Sequence, residues 1–485
     1  MSGMQKFMLR ENHQSPRDPV KPSRSRNGSG FLADIIDTLT ERSREILGRG
    51  RAQWTALSRS EGDLASLGDR LLSRRGEASG VAMAEALLAA FENATEDEQI
   101  AFLDALADRF GPDRQQVEQA VEAFLNGSED DETVGALHLA AEPRRQELLR
   151  RLNLAPGGTA AILRLREKLL AHIKTRPQLR QVDADFVHLF SSWFNRGFLV
   201  LKPIDWTTPA NILEKIIRYE AVHAIRDWDE LRSRLEPPDR RCYGFFHPQL
   251  VDEPLIFVEV ALTREIPDSV GTLLDMERTP IRANEATTAV FYSISNTQAG
   301  LGGVSFGNFL IKQVVEDLKS ELPNLKTFVT LSPVPGFAAW LERERDNDVA
   351  AILSPEEIDA LRVIDEPGWH LDPETAERAR PALLAAAAYY FLKAKAPSGS
   401  PRDPVARFHL GNGARLERLN FLADISENGL SRAHGLMVNF LYALDEIETN
   451  HEAFAESGTI AAAPAIRRAL RSASPKALAA PKEAL

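Results

Sequence analysis

Three groups of residues in this 485-residue chain have the types and spacing that chemistry needs. The first is a turn with Gly300, Gly302 and Gly303, set between a strand-like run and a helix-like run in residues 288–337. A helix that starts just after such a turn offers unpaired N–H groups and the positive end of its dipole to an anion, and the glycines let a phosphate come close. The spacing fits neither GxxxxGK[ST] nor GxGxxG, so by itself the turn reads equally well as a phosphate cradle or as an ordinary connection. The second is Ser332 in Ser332-Pro333-Val334-Pro335-Gly336. A serine before proline is a helix-start signal with the hydroxyl as cap, and the absence of GxSxG removes a nucleophile elbow. The third is His409, followed closely by Gly411 and Gly413, which places it at a strand end before a tight turn, where it can face a cleft. Ser332 and His409 can hydrogen-bond if the fold brings them together, which spacing does not decide.

Other chemistries are narrowed by what is missing. Cys242 is the sole cysteine, so an intrachain disulfide and a cysteine-based metal site are both excluded. The ten histidines include no HExxH or similar pair, and His138, His172 and His188 stand isolated, so no metal site is expected. A net charge of −12 argues against nucleic acid as a partner but leaves room for a local basic pocket for an anionic small molecule. The longest apolar run, 382–392, is much shorter than the roughly 20 residues that span a bilayer, so no membrane association is expected. The first 28 residues lack the apolar core of a secretory signal, and Lys482-Glu483-Ala484-Leu485 is not a peroxisomal address. A cytoplasmic location is the expectation.

The elements that must position these residues fall into two halves. At 485 residues, with 44% apolar and 26% charged residues, the chain can build two or three soluble domains. From Phe31 to about Arg196 the apolar positions recur at helical spacing, as in Phe31, Ile35, Ile36, Leu39, Ile46 and Leu47. Thr95-Glu96-Asp97-Glu98 is a capping box ahead of Ile100, Leu103, Leu106 and Phe110, and further helices are expected at 113–126, 143–152, 158–174 and 182–195. Near Gly197 the pattern changes to strands at 198–201, 241–246, 255–262, 288–295 and 327–331, with helices at 209–217 and 306–322. Capped helices should open at Ser354-Pro355 and Asp372-Pro373, the second kinked or broken near Pro381. Residues 396–403 read as a loop, and 405–410, 416–423 and 436–442 as strands or half-buried segments. The expected fold class is α+β, with 1–28 as a disordered segment, 29–190 as an all-helical bundle, 191–455 as a mixed α/β domain and 456–485 as a flexible Ala/Pro-rich tail.

Taken together, YSISNTQAGLGGVSFGNFLIK (292–312), LSPVPGF (331–337), FHLGNGARLERLNFLAD (408–424) and GLMVNFLY (435–442) resemble the malonyl-CoA decarboxylase family, with weaker echoes in 219–225, 240–248 and 258–263. The resemblance covers most of 190–455. It implies a catalytic domain of the GNAT-like mixed α/β kind, with CoA held where the central strands splay. It implies that Gly302, Gly303, Val304, Ser305, Phe306, Gly307 and Asn308 bind malonyl-CoA, and that Ser332 and His409 are the catalytic pair and touch the substrate. Ser305 stands where family members often carry an acidic residue, and is read as a loop donor. Asn439 and Tyr442 follow as second-rank candidates, with packing as the first explanation for Tyr442. The implied reaction yields acetyl-CoA and CO₂ through a thioester enolate, with no cofactor beyond the CoA of the substrate. The implied assembly is a homotetramer, a dimer of dimers. A GNAT-type acyltransferase, or a regulatory protein that binds malonyl-CoA without catalysis, are the competing readings.

Overall fold

The computed structural model describes residues 63–73, 77–127, 131–304, 309–345, 347 and 352–470. The segment 1–28, the apolar stripe from Phe31 to Leu47, and residues 471–485 lie outside the described residues. The helical half comprises α1 (Leu64–Leu72), α2 (Glu77–Asn93), α3 (Glu96–Asp108), α4 (Arg114–Asn126), α5 (Asp131–Ala141), α6 (Arg144–Asn153), α7 (Gly158–His172) and α8 (Leu179–Trp193). The capping box forms as expected. Thr95 N–H donates to Glu98 at 2.8 Å and Glu98 N–H to the Thr95 hydroxyl, satisfying donors the first turn leaves open. Phe102, Leu103, Leu106 and Phe110 then face a core shared with Leu148, Leu149, Leu152, Phe186 and Phe190. The hairpin of α4 and α5 differs, because no residue of either helix is buried.

An eight-stranded sheet follows: β1 (Val200–Ile204), β2 (Arg240–Phe246), β3 (Pro254–Thr263), β4 (Thr288–Asn296), β5 (Thr327–Thr330), β6 (Ser332–Pro333), β7 (Arg415–Asn420) and β8 (Met437–Leu441). Their order is β1-β2-β3-β4-β5-β8-β6, with β7 beside β8. Helices α9 (Ala210–Tyr219) and α10 (Trp228–Leu235) intervene between β1 and β2, and the short α11 (Gly271–Leu274) follows β3. Strands β1 to β4 pair antiparallel. The step from β4 to β5 is parallel and requires a crossover, supplied by α12 (Phe309–Glu321). That parallel pair runs only from Thr288↔Thr327 to Phe291↔Thr330. Beyond it β4 stays with β3, while the chain after β5 turns to β8, where Ser332 pairs with Val438. The two central strands therefore part, and a cleft opens where they do.

Four expectations need correction. Residues 404–411 are a helix rather than a strand, because Asp403 accepts the Ala406 N–H at 2.7 Å and Pro404 occupies the first helical position. Ser332 is not a helix cap: it lies in β6, and the next helix, α13 (Phe337–Glu344), is entered through Gly336 with no side-chain cap. After α14 (Pro355–Arg362), α15 (Pro373–Leu392) continues through Pro381 without a break, with Ala379, Ala382, Ala385 and Ala386 buried on both sides of the proline. Helix α16 (Pro404–Gly411) leads into β7, α17 (Glu427–Ala433) into β8, and α18 (Ile447–Ser457) follows. The stretch after 456 is then packed as far as Leu470. Leu416 N–H donates to Ala461 at 2.9 Å, and Ile460 and Ile466, the latter in α19 (Pro464–Ala469), are buried. Among the described residues no helix is long and apolar enough to cross a membrane.

Candidate active site

Ser332 and His409 are 77 residues apart in sequence and meet at the parting of β4 and β5. β6 carries the serine, and the last turn of α16 carries the histidine. The Ser332 hydroxyl lies 3.3 Å from His409 Nε2, and both side chains are buried. The other imidazole nitrogen, Nδ1, lies 2.8 Å from the Tyr442 hydroxyl. The imidazole stacks on Phe440 of β8, with centroids 4.7 Å apart and planes 26° from parallel, which fixes its plane. Burial lowers the His409 pKa to about 3, so the ring is neutral at physiological pH. Burial also raises the Tyr442 phenol well above its ordinary range and keeps it protonated.

The pair forms part of the wall of a cavity of about 650 Å³, which Phe291, Tyr292, Gly303 and Val304 also line. The glycine turn and the Ser–His pair thus face one space. Gly303 has φ +77, a conformation open to glycine at little cost. Gly302 is exposed and outside that wall. Ser305, Phe306, Gly307 and Asn308 lie outside the described residues. Leu301, Gly302 and Val304 donate their N–H groups within the turn itself, to Gln298, Ala299 and Leu301. The helical half holds this turn from behind: Arg166 of α7 donates to the Gly300 carbonyl at 2.7 Å, and Glu167 accepts the Gly300 N–H at 3.1 Å.

The two second-rank residues take different places. Tyr442 touches His409 directly, so packing alone does not describe it. Asn439 is fully buried behind the pair, where its amide donates to the Thr330 carbonyl at 2.8 Å and its oxygen accepts from Asn420 and Arg418. Sequence reasoning missed Thr330, whose hydroxyl accepts from Ser332 at 2.8 Å and from the Phe440 N–H at 3.1 Å. The period-two geometry of a strand gives the signal that could have found it, since positions i and i+2 share a face.

Fold and site define a class of protein: a helical domain joined to a mixed α/β domain, with a serine, a histidine and a tyrosine in one hydrogen-bond chain where the central strands diverge. Residues 197–480 match the malonyl-CoA decarboxylase C-terminal domain, and residues 110–194 match the malonyl-CoA decarboxylase N-terminal domain. The chain belongs to the malonyl-CoA decarboxylase family. The crystal structure of malonyl-CoA decarboxylase from Rhodopseudomonas palustris is 67% identical, with a TM-score of 0.80 over 84% of this chain and 98% of that one. The enzyme from Agrobacterium vitis is 57% identical, also at a TM-score of 0.80, over 85% of this chain and 100% of that one. Mitochondrial malonyl-CoA decarboxylase of Anser anser anser is 34% identical over 385 residues, which is 73% of this chain and 76% of the goose protein.

Proposed function

We propose that this carboxy-lyase converts malonyl-CoA to acetyl-CoA and CO₂ at the cleft between β4 and β6. The observation that carries the reading is the Ser332–His409 contact of 3.3 Å in the wall of the cavity that Gly303 and Val304 also line. In the proposed step the bond between the malonyl carboxyl carbon and the α-carbon breaks, CO₂ leaves, and the bonding pair moves into the thioester as an enolate. The charge on the thioester oxygen is met by N–H donors, an effect worth about 2.7–4 kcal/mol per donor in comparable sites. The N–H groups of Gly300, Leu301, Gly302 and Val304 are already committed, so these donors lie outside that set. His409 delivers a proton to the enolate carbon and recovers it from solvent. Ser332 positions the departing carboxylate beside the imidazole. A neutral buried histidine suits this division of labour, since a fixed positive charge would hold the carboxylate back. The thioester is its own electron sink, so the reaction is read as needing no cofactor, and a chelator should leave turnover unchanged.

Self-association as a dimer of dimers is part of the same proposal. It is supported by the α4–α5 hairpin, whose Leu125 and Leu139 side chains are 73% and 71% exposed. The compartment we propose is a bacterial cytoplasm, in keeping with the bacterial relatives at 57–67% identity.

The test is mass spectrometry of products from malonyl-CoA supplied with no acceptor. The wild type should release acetyl-CoA and CO₂, while Ser332→Ala and His409→Asn should each lower kcat by about 10²–10⁴ with binding largely kept. Near-normal turnover in either variant would remove the assignment. A strict need for an amine acceptor would turn the reading toward acyl transfer.

A further inference from the structure

We propose that Thr330 is a positioning residue that sets the direction of the hydrogen-bond chain at the cleft, so that neutral His409 carries its proton on Nε2, facing Ser332 and the cavity. The consequence for catalysis rests on the decarboxylation reading; the proton's location does not.

The polarity follows from the direction of the Ser332–Thr330 bond and from counting donors and acceptors along the chain. A hydroxyl has one proton and two lone pairs. Thr330 Oγ1 is fully buried and accepts twice, from the Phe440 N–H at 3.1 Å and from the Ser332 hydroxyl at 2.8 Å. The Phe440 N–H is a fixed backbone donor, so one lone pair of Thr330 is always taken. At the 2.8 Å contact Ser332 is the donor and fills the other lone pair, so towards His409 the serine has only lone pairs left. The 3.3 Å contact between Ser332 Oγ and His409 Nε2 is then a bond that the imidazole donates.

The far side of the ring agrees. A neutral ring protonated at Nε2 has a bare Nδ1, which must accept, and the buried group opposite is the Tyr442 hydroxyl at 2.8 Å. Tyr442 therefore donates to Nδ1. Every bond points the same way, from Tyr442 through His409 and Ser332 to Thr330. The Thr330 backbone cannot drift from this arrangement, because Asn439 holds its carbonyl at 2.8 Å and Asn439 in turn accepts from Asn420 at 2.8 Å.

With this polarity the serine, before substrate arrives, is an acceptor for the imidazole proton and not a base poised to take one from substrate; it bonds the malonyl carboxylate by turning its hydroxyl away from Thr330. The acid faces the cavity before substrate arrives. A ring with its proton on Nδ1 would present a lone pair instead, and would have to rotate or exchange protons before it could serve an enolate.

Nitrogen-15 NMR of full-length protein labelled in histidine, with the His409→Asn spectrum used for assignment, reads the tautomer directly. Wild type should show a protonated Nε2 and a bare Nδ1 at position 409. Thr330→Val keeps the shape and removes the acceptor. It should shift the ring toward a mixture of tautomers and lower kcat about a hundredfold, with KM for malonyl-CoA changed less than about threefold. Thr330→Ser should restore both. Tyr442→Phe should leave the proton on Nε2, because the direction is set from the Thr330 side. A proton on Nδ1 in the wild type overturns the inference even if Thr330→Val does not fold, and so does a tautomer unchanged in a folded Thr330→Val. A wild type with the expected tautomer and no CO₂ release would refute the function while leaving the role of Thr330 intact.

Discussion

His409 is neutral because the fold has removed water from around it. Desolvation alone takes its pKa to about 3, and no carboxylate contributes to the shift. The sign of the resulting pH dependence follows. Between the ordinary histidine value of about 6.5 and the folded value, the unfolded chain binds a proton that the folded chain refuses, so this group costs stability as pH falls. Its contribution is intact above about pH 6.5 and is lost progressively toward pH 3. His223 and His434, each lowered to about 4 chiefly by burial, act in the same direction. Asp403, raised to about 6, and Glu259, raised to about 7, act oppositely, losing stability as pH rises toward those values. A difference measurement isolates His409. Urea unfolding at pH 7 and pH 5 should show a smaller loss for His409→Asn than for the wild type, and an equal loss would contradict a ring held neutral by burial.

At the scale of elements, the site depends on strands that stop pairing. Had β4 and β5 stayed in register past Phe291 and Thr330, their backbone groups would have closed on one another and left no room for a substrate. The parting moves Ser332 onto β8 opposite Val438, two residues along the strand from Phe440, the residue that stacks on His409. The glycine turn at the other side of the cleft is placed by the helical half. A Cβ at Gly300 would sit 2.5 Å from the Leu163 carbonyl oxygen in α7, so only a glycine allows the turn to dock there. Arg166, held by Asp183 at 2.8 Å, clamps the docked turn through the Gly300 carbonyl. Gly300→Ala should therefore force the turn off α7, costing about 1–3 kcal/mol of stability and raising KM for malonyl-CoA about tenfold with a smaller effect on kcat. Thermal unfolding and steady-state kinetics on the same preparation measure both. Unchanged kinetics would mean that docking on α7 does not position the substrate loop.

At the scale of the whole molecule, the helical half has two distinct faces. One is the α7 face that carries the glycine turn. The other is the α4–α5 hairpin, which adds nothing to the core and leaves Val121, Leu125, Val134 and Leu139 exposed. Burying such side chains is worth about 1.5–3 kcal/mol each, enough for a hairpin to join subunits. Under the proposed dimer-of-dimers assembly, Leu125→Glu combined with Leu139→Glu should lower the mass measured by light scattering from that of a tetramer toward that of a dimer. It should leave the monomer fold intact, because neither residue supports a core. An unchanged mass would place the subunit contacts elsewhere.

Much of this was determined by sequence alone, where the cause is local. The capping boxes at Thr95 and Ser354, the strands at 240–246, 254–263 and 288–296, and the crossover helix after the glycine turn each follow from periodicity or from a side chain within four residues. The same local rules misread 404–411, where Val405, Phe408 and Leu410 look like strand positions and the Asp403-Pro404 start signal was absorbed into the preceding loop. They also misread Ser332, because a Ser-Pro pair signals a cap only if a helix follows at once. The motifs around Ser332 and His409 named the family and the pair. That the two meet, that Tyr442 and Thr330 flank them, and that Gly300 lies against α7 were decided by tertiary structure. Hydrogen bonds spanning 33 and 77 residues have no local signature, since they exist only once β8 lies between β5 and β7 and water has been expelled from the space they share.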